Sequence, residues 1–192
     1  AALARRCVEA GHEVTVFDRP DADSFRLHEI AGRYHLVTGN FAVLEDVLPA
    51  IRQMDVVVHS ISATVPGSSI KNPIDDVEAN VLPSLGLFQA CAENNVGRVI
   101  FISSGGTVYG ITGDRPAKES DLCQPIVPYA VSKEMIEKYL AVFARHQSLD
   151  YTVLRLSNPY GPQQRAFSGQ GVIAAWLEKL KRGEKIEIWG DG

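Results

Sequence analysis

Short apolar runs alternate along the chain with longer segments in which apolar residues recur at three- or four-residue steps. The short runs predict strands over residues 13–17, 34–37, 55–59, 99–102, 151–155 and 186–188. The periodic segments predict helices over residues 1–10, 43–52, 75–95, 129–146 and 171–182. Because the two kinds of element alternate from end to end, the sequence predicts an α/β fold with a doubly wound parallel sheet.

Two residues mark helix boundaries within this pattern. Gly11 follows the first predicted helix at the position of a left-handed C-terminal cap. Pro83 lies inside the periodic segment 75–95, where it predicts either a kink or the true start of the helix, because proline lacks a backbone N–H. We therefore expect the first helix to end before Gly11 and the longer segment to change near Pro83.

Composition excludes several classes of protein. The 192 residues carry 19 Lys and Arg against 23 Asp and Glu, so no basic excess indicates a nucleic-acid groove or an anionic membrane surface. No apolar run reaches the roughly 20 residues that span a bilayer, and no signal-peptide pattern is present, so we expect a cytoplasmic protein. The cysteines, Cys7, Cys91 and Cys123, lie far apart without a Cys-x-x-Cys pair, which argues against a metal site or a disulfide framework.

The strongest candidate for chemistry is the pair Tyr129 and Lys133, four residues apart at the start of a predicted helix. Side chains at this spacing project from one face, so the Lys133 ammonium can approach the Tyr129 phenol. A nearby positive charge favours the phenolate and is expected to lower the tyrosine pKa from its usual value of about 10. Tyr129 would then accept a proton from a substrate hydroxyl. The alternative is a solvated helix face without a catalytic role.

A second candidate region is the turn after the predicted strand 99–102. Ser103, Ser104 and Thr107 carry hydroxyls there, and Gly105 and Gly106 lie among them. Because ligands of parallel α/β sheets bind at the carboxyl ends of the strands, we expect these hydroxyls at a ligand site. The two glycines allow a ring to come close to the backbone. The alternative is an ordinary turn in which serine and glycine serve local conformation only.

Seven segments, in the same order and spacing, resemble those of a known family. They are residues 14–18, 57–59, 80–81, 103–110, 129–133, 154–162 and 186–191. Together they resemble the NAD-dependent epimerase/dehydratase family of extended short-chain dehydrogenases/reductases, and within it the UDP-glucose 4-epimerases. The resemblance implies a Rossmann-like domain over residues 1–160 and the start of a small C-terminal substrate lobe over residues 161–192. It also implies NAD as the cofactor, a nucleotide-sugar substrate and a homodimer.

The resemblance further assigns individual residues to the site. The implied catalytic residues are Tyr129, Lys133, Thr107 and Ser104. The implied cofactor contacts are Asp18, Asn40, Ser60, Ile61, Ser62, Asn80, Ser103, Tyr129, Lys133 and Ser157. The implied substrate contacts are Ser104, Gly105, Thr107, Tyr129, Asn158 and Gly171. Asp18 would accept hydrogen bonds from ribose hydroxyls, and its charge would repel a 2′-phosphate, which favours NAD over NADP.

The chain departs from the family pattern in two places. The usual Ser or Thr partner of the catalytic tyrosine falls on Gly105, so either Thr107 or Ser104 supplies the hydroxyl or the proton relay is altered. The glycine-rich phosphate-binding turn, expected about 20 residues before Asp18, would precede Ala1. We therefore expect the chain to be truncated at both ends; the alternative is that Ala1 is a true start and Asp18 only ends a strand.

Three functions compete at this point. The leading hypothesis is 4-epimerisation of a UDP-hexose through a keto-sugar, with Lys133 holding the nicotinamide ribose and Asn158 the nucleotide. The first alternative is a 4,6-dehydratase or an NAD(P)-dependent reductase of the same superfamily, although the turn at Gly105 lacks the acid and base that a dehydratase commonly uses. The second alternative is a non-catalytic nucleotide-binding module or an inert fragment.

The remaining polar candidates have simpler interpretations. His59 ends a predicted buried strand, and we interpret it as a hydrogen-bonded structural residue rather than a base. Asp75, Asp76 and Glu78 have the composition of a metal-binding cluster. We interpret them instead as charges that stabilise the first turn of a helix.

Overall fold

The computed structural model describes residues 1–22, 24–113, 115–162, 164, 166 and 171–188. Its strands are β1 (Thr15–Asp18), β2 (His35–Thr38), β3 (Val56–His59), β4 (Arg98–Ser104) and β5 (Asp150–Leu156). Its α-helices are α1 (Ala2–Glu9), α2 (Leu44–Ile51), α3 (Pro66–Ser69), α4 (Pro73–Asp76), α5 (Leu82–Glu93), α6 (Pro128–Gln147) and α7 (Val172–Lys181). Ser24–Ile30 form a 3₁₀ segment and Val77–Val81 a π-helical turn. By contacts the chain forms two compact units, Ala1–Leu156 and Ser157–Gly192.

Every strand pairing is parallel, which confirms the predicted α/β class. β1 pairs with β2, while β4 lies between β3 and β5. Within the described part of the chain the strands therefore form two hydrogen-bonded groups, where the sequence predicted one sheet. Because all the strands in each group run the same way, their carboxyl ends share an edge, where α/β proteins bind ligands.

The main core lies between the β3–β4–β5 group and the helices α2, α5 and α6. Its most deeply buried side chains include Phe88, Cys91, Val99, Phe101 and Leu140. β4 alternates buried and half-buried positions, and its inner residues pack under α6. Cys91 lies in this core, and burial raises the pKa of its thiol to about 12. A smaller cluster of Val8, Leu27 and Ile30 joins α1 to the 3₁₀ segment.

The segment 75–95 is three elements rather than one helix. α4 ends at Asp76, the π-helical turn follows, and α5 begins at Leu82 with Pro83 in its first turn. Proline has no N–H to donate to the preceding turn, so the regular α-helical pattern is interrupted just before it. Of the two alternatives, Pro83 therefore marks the start of a helix. The π-helical turn carries Asn80, one of the predicted site residues.

Other boundary predictions met different outcomes. Gly11 has φ +86°, the left-handed conformation predicted for the residue after α1. The strand predicted over residues 186–188 is wrong: these residues are irregular, and no described strand pairs with them. A three-residue apolar alternation cannot form a strand without a partner, and sequence periodicity does not supply one. None of the described helices has both the length and the apolar composition required to cross a membrane.

Candidate active site

Tyr129 and Lys133 occupy successive turns at the start of α6. Pro128 takes the first helical position, where its missing N–H costs no hydrogen bond, and so the helix begins immediately before Tyr129. Lys133 Nζ lies 5.6 Å from the centroid of the Tyr129 ring. The predicted approach of the two side chains is therefore present. No described residue lies within hydrogen-bond distance of the phenol oxygen, which leaves it available to a ligand.

Lys133 is held at the edge of β4. Its Nζ donates a hydrogen bond of 3.1 Å to the carbonyl oxygen of Ile102 and lies 4.9 Å from the centroid of the Phe101 ring. The residue is only 5% exposed. Burial lowers the pKa of Lys133 to about 8, against the opposing effects of the Asp76 and Glu137 carboxylates. The group is therefore mostly an ammonium at neutral pH, with N–H groups to spare for a ligand.

The expected lowering of the Tyr129 pKa is not found. Burial raises the pKa of Tyr129 above its usual value, and the negative charge of Asp76 raises it further. The sequence reasoning counted the ammonium four residues away but could not count a carboxylate brought in from α4. By itself the protein therefore favours the neutral phenol.

The turn after β4 brings two predicted hydroxyls together. Thr107 Oγ1 donates a hydrogen bond of 2.8 Å to Ser104 Oγ, so the Ser104 proton remains free to reach a ligand oxygen. A Cβ added at Gly105 would lie 2.6 Å from the carbonyl oxygen of Arg155. A serine or threonine does not fit at this position with the backbone as it is. The hydroxyls that this turn can present to a ligand in place of one at Gly105 are therefore those of Ser104 and Thr107.

Ser103 is engaged elsewhere. Its side chain is buried and donates a hydrogen bond to Glu137 on α6. The Arg155 guanidinium from β5 binds the same carboxylate, with Nη2 2.6 Å from Oε2, and donates to the Tyr109 hydroxyl at 2.9 Å. The hydroxyl predicted to contact the cofactor therefore belongs to a buried polar network that joins β4, β5 and α6.

The loop after β3 contains three predicted cofactor residues, Ser60, Ile61 and Ser62. Ser60 and Ser62 are exposed, and Ser62 Oγ donates to the carbonyl of Thr64. Asn80 holds this loop from the π-helical turn, because its Oδ1 accepts from the backbone N–H of Ala63 at 2.8 Å. Its Nδ2 donates to Thr64 Oγ1 and to the Asp76 carbonyl. Asn80 therefore supports the loop through hydrogen bonds of its own.

Asp18 and Asn40 follow the two strands of the other group. Asp18 is the last residue of β1 and is exposed, and its Oδ1 accepts from the backbone N–H of Arg19 at 2.8 Å. Its second carboxylate oxygen remains available to hydroxyl donors. Asn40 Oδ1 accepts from the backbone N–H of Ala42, which leaves its amide N–H₂ outside this turn. Ser157, Asn158 and Gly171 belong to the second compact unit, where Gly171 precedes α7 with φ +95°.

His59 has the structural role that the sequence predicted. Its Nε2 lies 2.7 Å from Ser84 Oγ, and Ser84 uses its own proton on the carbonyl of Asn80. His59 Nε2 is therefore the donor, and its buried Nδ1 has no partner. Burial and the charge of Lys133 lower the pKa of His59 to about 3, so the ring is neutral.

Asp76 is the residue whose buried role the sequence did not predict. It lies in the first turn of α4, as expected, but is 0% exposed and accepts hydrogen bonds from side chains of other segments. Its position four residues before Asn80 was the signal that could have paired the two. In the described part of the chain, no group of three or more His, Cys, Asp or Glu side chains could hold a metal ion.

Comparison with known proteins decides the family. The model of the NAD dependent epimerase/dehydratase family matches residues 1–192. The chain belongs to this family. A putative UDP-glucose 4-epimerase of Methanocaldococcus jannaschii is 31% identical over 141 residues, which are 73% of this chain and 46% of that protein. A dTDP-4-dehydro-6-deoxyglucose reductase of Escherichia coli is 36% identical over 164 residues, 85% of this chain and 46% of that protein.

A solved structure extends this family likeness to the fold. The UDP-glucose 4-epimerase of Thermotoga maritima, solved with UDP-glucose, is 30% identical and superposes with a TM-score of 0.90. The match covers 100% of this chain and 62% of the Thermotoga chain. This chain spans about half the length of the curated relatives that it matches.

The residues near the carboxyl ends of the strands fit the cofactor that the family description names. Asp18 has one carboxylate oxygen to which no described residue donates, and Lys133 has ammonium N–H groups beyond the one used on Ile102. The Tyr129 phenol oxygen forms no hydrogen bond with a described residue. These donors and acceptors are those that a nicotinamide dinucleotide would need at its two riboses and at its reacting end.

Proposed function

We propose that the complete protein is an NAD-dependent epimerase of nucleotide sugars, most similar to UDP-hexose 4-epimerases. The observation that carries this proposal is the buried Lys133 ammonium, 5.6 Å from the Tyr129 ring and hydrogen-bonded to the carbonyl of Ile102 near the end of β4. The relatives named as UDP-glucose 4-epimerases support the substrate class.

In the proposed reaction Tyr129 moves the proton. Its phenolate oxygen takes the proton of a sugar hydroxyl while the hydrogen on the same carbon leaves as hydride, so that a keto-sugar forms. NAD⁺, held by the residues named above, would supply the hydride acceptor and a positive charge that favours the phenolate against burial and Asp76. When the hydrogen adds back to the opposite face of that carbon, Tyr129 would return its proton to the sugar oxygen, which gives the epimer.

The other residues bind and orient in this proposal. The free Ser104 proton, directed by the hydrogen bond from Thr107, would hold the reacting sugar oxygen. Lys133 would bind the nicotinamide ribose, and Asn158 and Gly171 the nucleotide sugar. Ser60, Ile61, Ser62, Asn40 and Ser157 would line the cofactor.

The experiment is made with the complete open reading frame that contains residues 1–192. Tyr129→Phe should reduce interconversion of UDP-glucose and UDP-galactose by about 10²-fold or more, because the proton acceptor is lost. Tyr139→Phe is the matched control, since Tyr139 is an exposed tyrosine of the same helix. Equal conversion by the Tyr129→Phe protein and the unaltered protein would overturn the assignment of Tyr129.

A reductase is the second candidate, because one relative with 36% identity is named as a dTDP-4-dehydro-6-deoxyglucose reductase. A reductase consumes one reduced cofactor for each product molecule, whereas an epimerase regenerates it. Stoichiometric loss of NADH or NADPH absorbance with a keto-sugar nucleotide would therefore favour the reductase. The inert alternative predicts no thermal stabilisation by millimolar NAD, while a ligand that binds the folded state raises its apparent stability.

We also propose that the complete protein is a cytoplasmic homodimer. α6 carries apolar side chains that are exposed in the single chain, namely Val131 and Val142. A second copy could cover them, since large exposed apolar patches commonly mark interaction sites. Sedimentation of the complete protein tests this state, and a monomer at micromolar concentration would contradict it.

A further inference from the structure

Asp76 is a fully buried carboxylate at the junction of three segments. It receives hydrogen bonds from Thr64 Oγ1 in the loop after β3 and from Ser132 Oγ on α6. Asn80 Nδ2 from the π-helical turn lies 3.4 Å from its Oδ1. All three donors are neutral, so these hydrogen bonds satisfy the carboxylate oxygens, and no described cationic side chain forms a direct ion pair with Asp76.

This carboxylate lies behind the start of α6. Ser132 is the residue between the two turns that carry Tyr129 and Lys133, so its bond to Asp76 fixes that part of the helix. A second bond fixes the first turn, because the backbone N–H of Tyr129 donates to the buried Ser69 Oγ at 3.1 Å. The start of α6 is therefore attached at two points to the α3–α4 region.

We infer that Asp76 is a positioning residue for Tyr129 and Lys133: it anchors α6 through Ser132, and its buried charge acts on both groups. Its role in turnover rests on the proposed function, whereas its effect on the two groups does not. The donors lie on both carboxylate oxygens, Thr64 and Asn80 on Oδ1 and Ser132 on Oδ2, so an amide at this position could not accept from all three.

The charges around the pair support this inference. Asp76 raises the pKa of Tyr129 and opposes the effect of burial on the pKa of Lys133, which stands at about 8. Glu137, on α6 one turn beyond Lys133, acts on Lys133 in the same direction. His59 faces Lys133 from β3 as a neutral ring, because its pKa is about 3. Asp76 is thus the carboxylate that acts on both members of the pair.

The test compares Asp76→Asn with Asp75→Asn in the complete open reading frame. Both variants lose one negative charge from α4, but Asp75 is exposed. The Tyr129 pKa is measured by ultraviolet difference titration against Tyr129→Phe in each background, and the Lys133 pKa by NMR of labelled lysine. Asp76→Asn should lower both pKa values by about half a unit or more, whereas Asp75→Asn should leave them unchanged. Unchanged values in a folded Asp76→Asn protein would overturn the inference.

Turnover supplies a second readout that simple loss of structure would not give. Both limbs of the kcat pH profile should move to lower pH in Asp76→Asn, because loss of the negative charge lowers the pKa of both Tyr129 and Lys133. Ser132→Ala removes the anchor but keeps the charge, so it should lower kcat without moving the limbs. Limbs that move with Ser132→Ala and not with Asp76→Asn would contradict the inference.

The inference remains testable if Asp76→Asn does not fold and if the proposed function fails. If Asp76→Asn does not fold, Ser132→Ala carries the test, and an unchanged kcat in that variant overturns the anchoring of α6 by Asp76. If the complete protein turns over no nucleotide sugar, the proposed function fails. The two titrations then still decide the inference, because they require no substrate.

Discussion

Two buried carboxylates stand on either side of Lys133, and the protein satisfies them in different ways. Glu137 is bound by the Arg155 guanidinium, with Nη2 2.6 Å from Oε2, and also accepts from Ser103. Among the described residues, Asp76 accepts only from the neutral side chains of Thr64, Asn80 and Ser132. One carboxylate has a cation as its direct partner, whereas the other has hydrogen bonds alone.

The difference separates a structural role from an electrostatic one. The Glu137–Arg155 pair joins α6 to β5, and its opposite charges largely cancel at a distance. The guanidinium gains as well, because the hydrogen bonds that it donates to the Glu137 carboxylate raise the pKa of Arg155. A carboxylate with neutral donors keeps its field, which reaches Tyr129. Burial of a charge therefore says little about its function until its partners are known.

The largest expected effect comes from breaking the ion pair. Glu137→Gln should lower the free energy of unfolding by about 2 to 3 kcal/mol, because it leaves the guanidinium of Arg155 without its charged partner. The lower part of the usual range applies, since the Arg155 side chain is 25% exposed and water can reach it. Chemical denaturation measures the change.

Glu134→Gln on the same helix is the control for this prediction. Glu134 pairs with Lys138 at 2.7 Å, but the Lys138 side chain is 74% exposed, so solvent screens the pair. This variant should change the free energy of unfolding far less. If the two variants lose equal stability, Glu137 and Arg155 do not form the structural pair described above.

The second effect comes from the neutral state of the buried His59, which burial and then the charge of Lys133 maintain. Folded His59 has a pKa of about 3, while an unfolded histidine titrates at about 6.5, so the unfolded chain binds the proton first as pH falls. The stability that neutral His59 contributes is thus fully present above pH ~6.5 and is lost as pH falls toward 3. The loss reaches up to about 1.4 kcal/mol per pH unit, or about 2 kcal/mol at pH ~5.

His59→Gln removes this titration and keeps a donor for Ser84. The free energy of unfolding should therefore fall between neutral pH and pH ~5 by about 2 kcal/mol less in the variant than in the unaltered protein. Carboxylates that titrate in the same range contribute equally to both proteins. Parallel stability curves for the two proteins would show that His59 is not held neutral by burial and Lys133.

The smallest effect tests the outer part of the ion-pair network. Tyr109→Phe removes the acceptor of the 2.9 Å hydrogen bond from Arg155 Nη1 but keeps the ring that lies 5.0 Å from the guanidinium carbon. We expect a loss of about 1 kcal/mol in the free energy of unfolding. Tyr139→Phe, at an exposed position, should have no measurable effect. A larger loss for Tyr109→Phe than for Glu137→Gln would reverse the order of importance within this network.

Element order and the catalytic helix were predictable because both depend on short-range pattern. A spacing of four residues places Tyr129 and Lys133 on one face of any helix, and α6 is that helix. The left-handed Gly11 also followed from local sequence, whereas β1 ends at Asp18, one residue beyond the predicted strand. The strand predicted over residues 186–188 failed because pairing depends on a distant partner.

The site was predictable only in part. The hydroxyls of Ser104 and Thr107 meet within one turn, as expected, whereas Ser103 turns toward Glu137, 34 residues away. The direction of the Tyr129 pKa shift was also missed. It depends on how deeply the ring is buried and on Asp76, which is remote in sequence and contacts α6 only after folding.

By itself the amino-acid sequence determined the α/β class, the order of the elements, the likeness to one enzyme family and the helical pair Tyr129 and Lys133. These properties rest on hydrophobic period and on fixed spacings, which act within one or two turns of the chain. Only the tertiary structure decided that Glu137 binds a cation, that Asp76 accepts from neutral donors, and in which direction the pKa of Tyr129 shifts. Electrostatic effects depend on distance through the fold and on exclusion of water, and neither quantity is written in the spacing of residues.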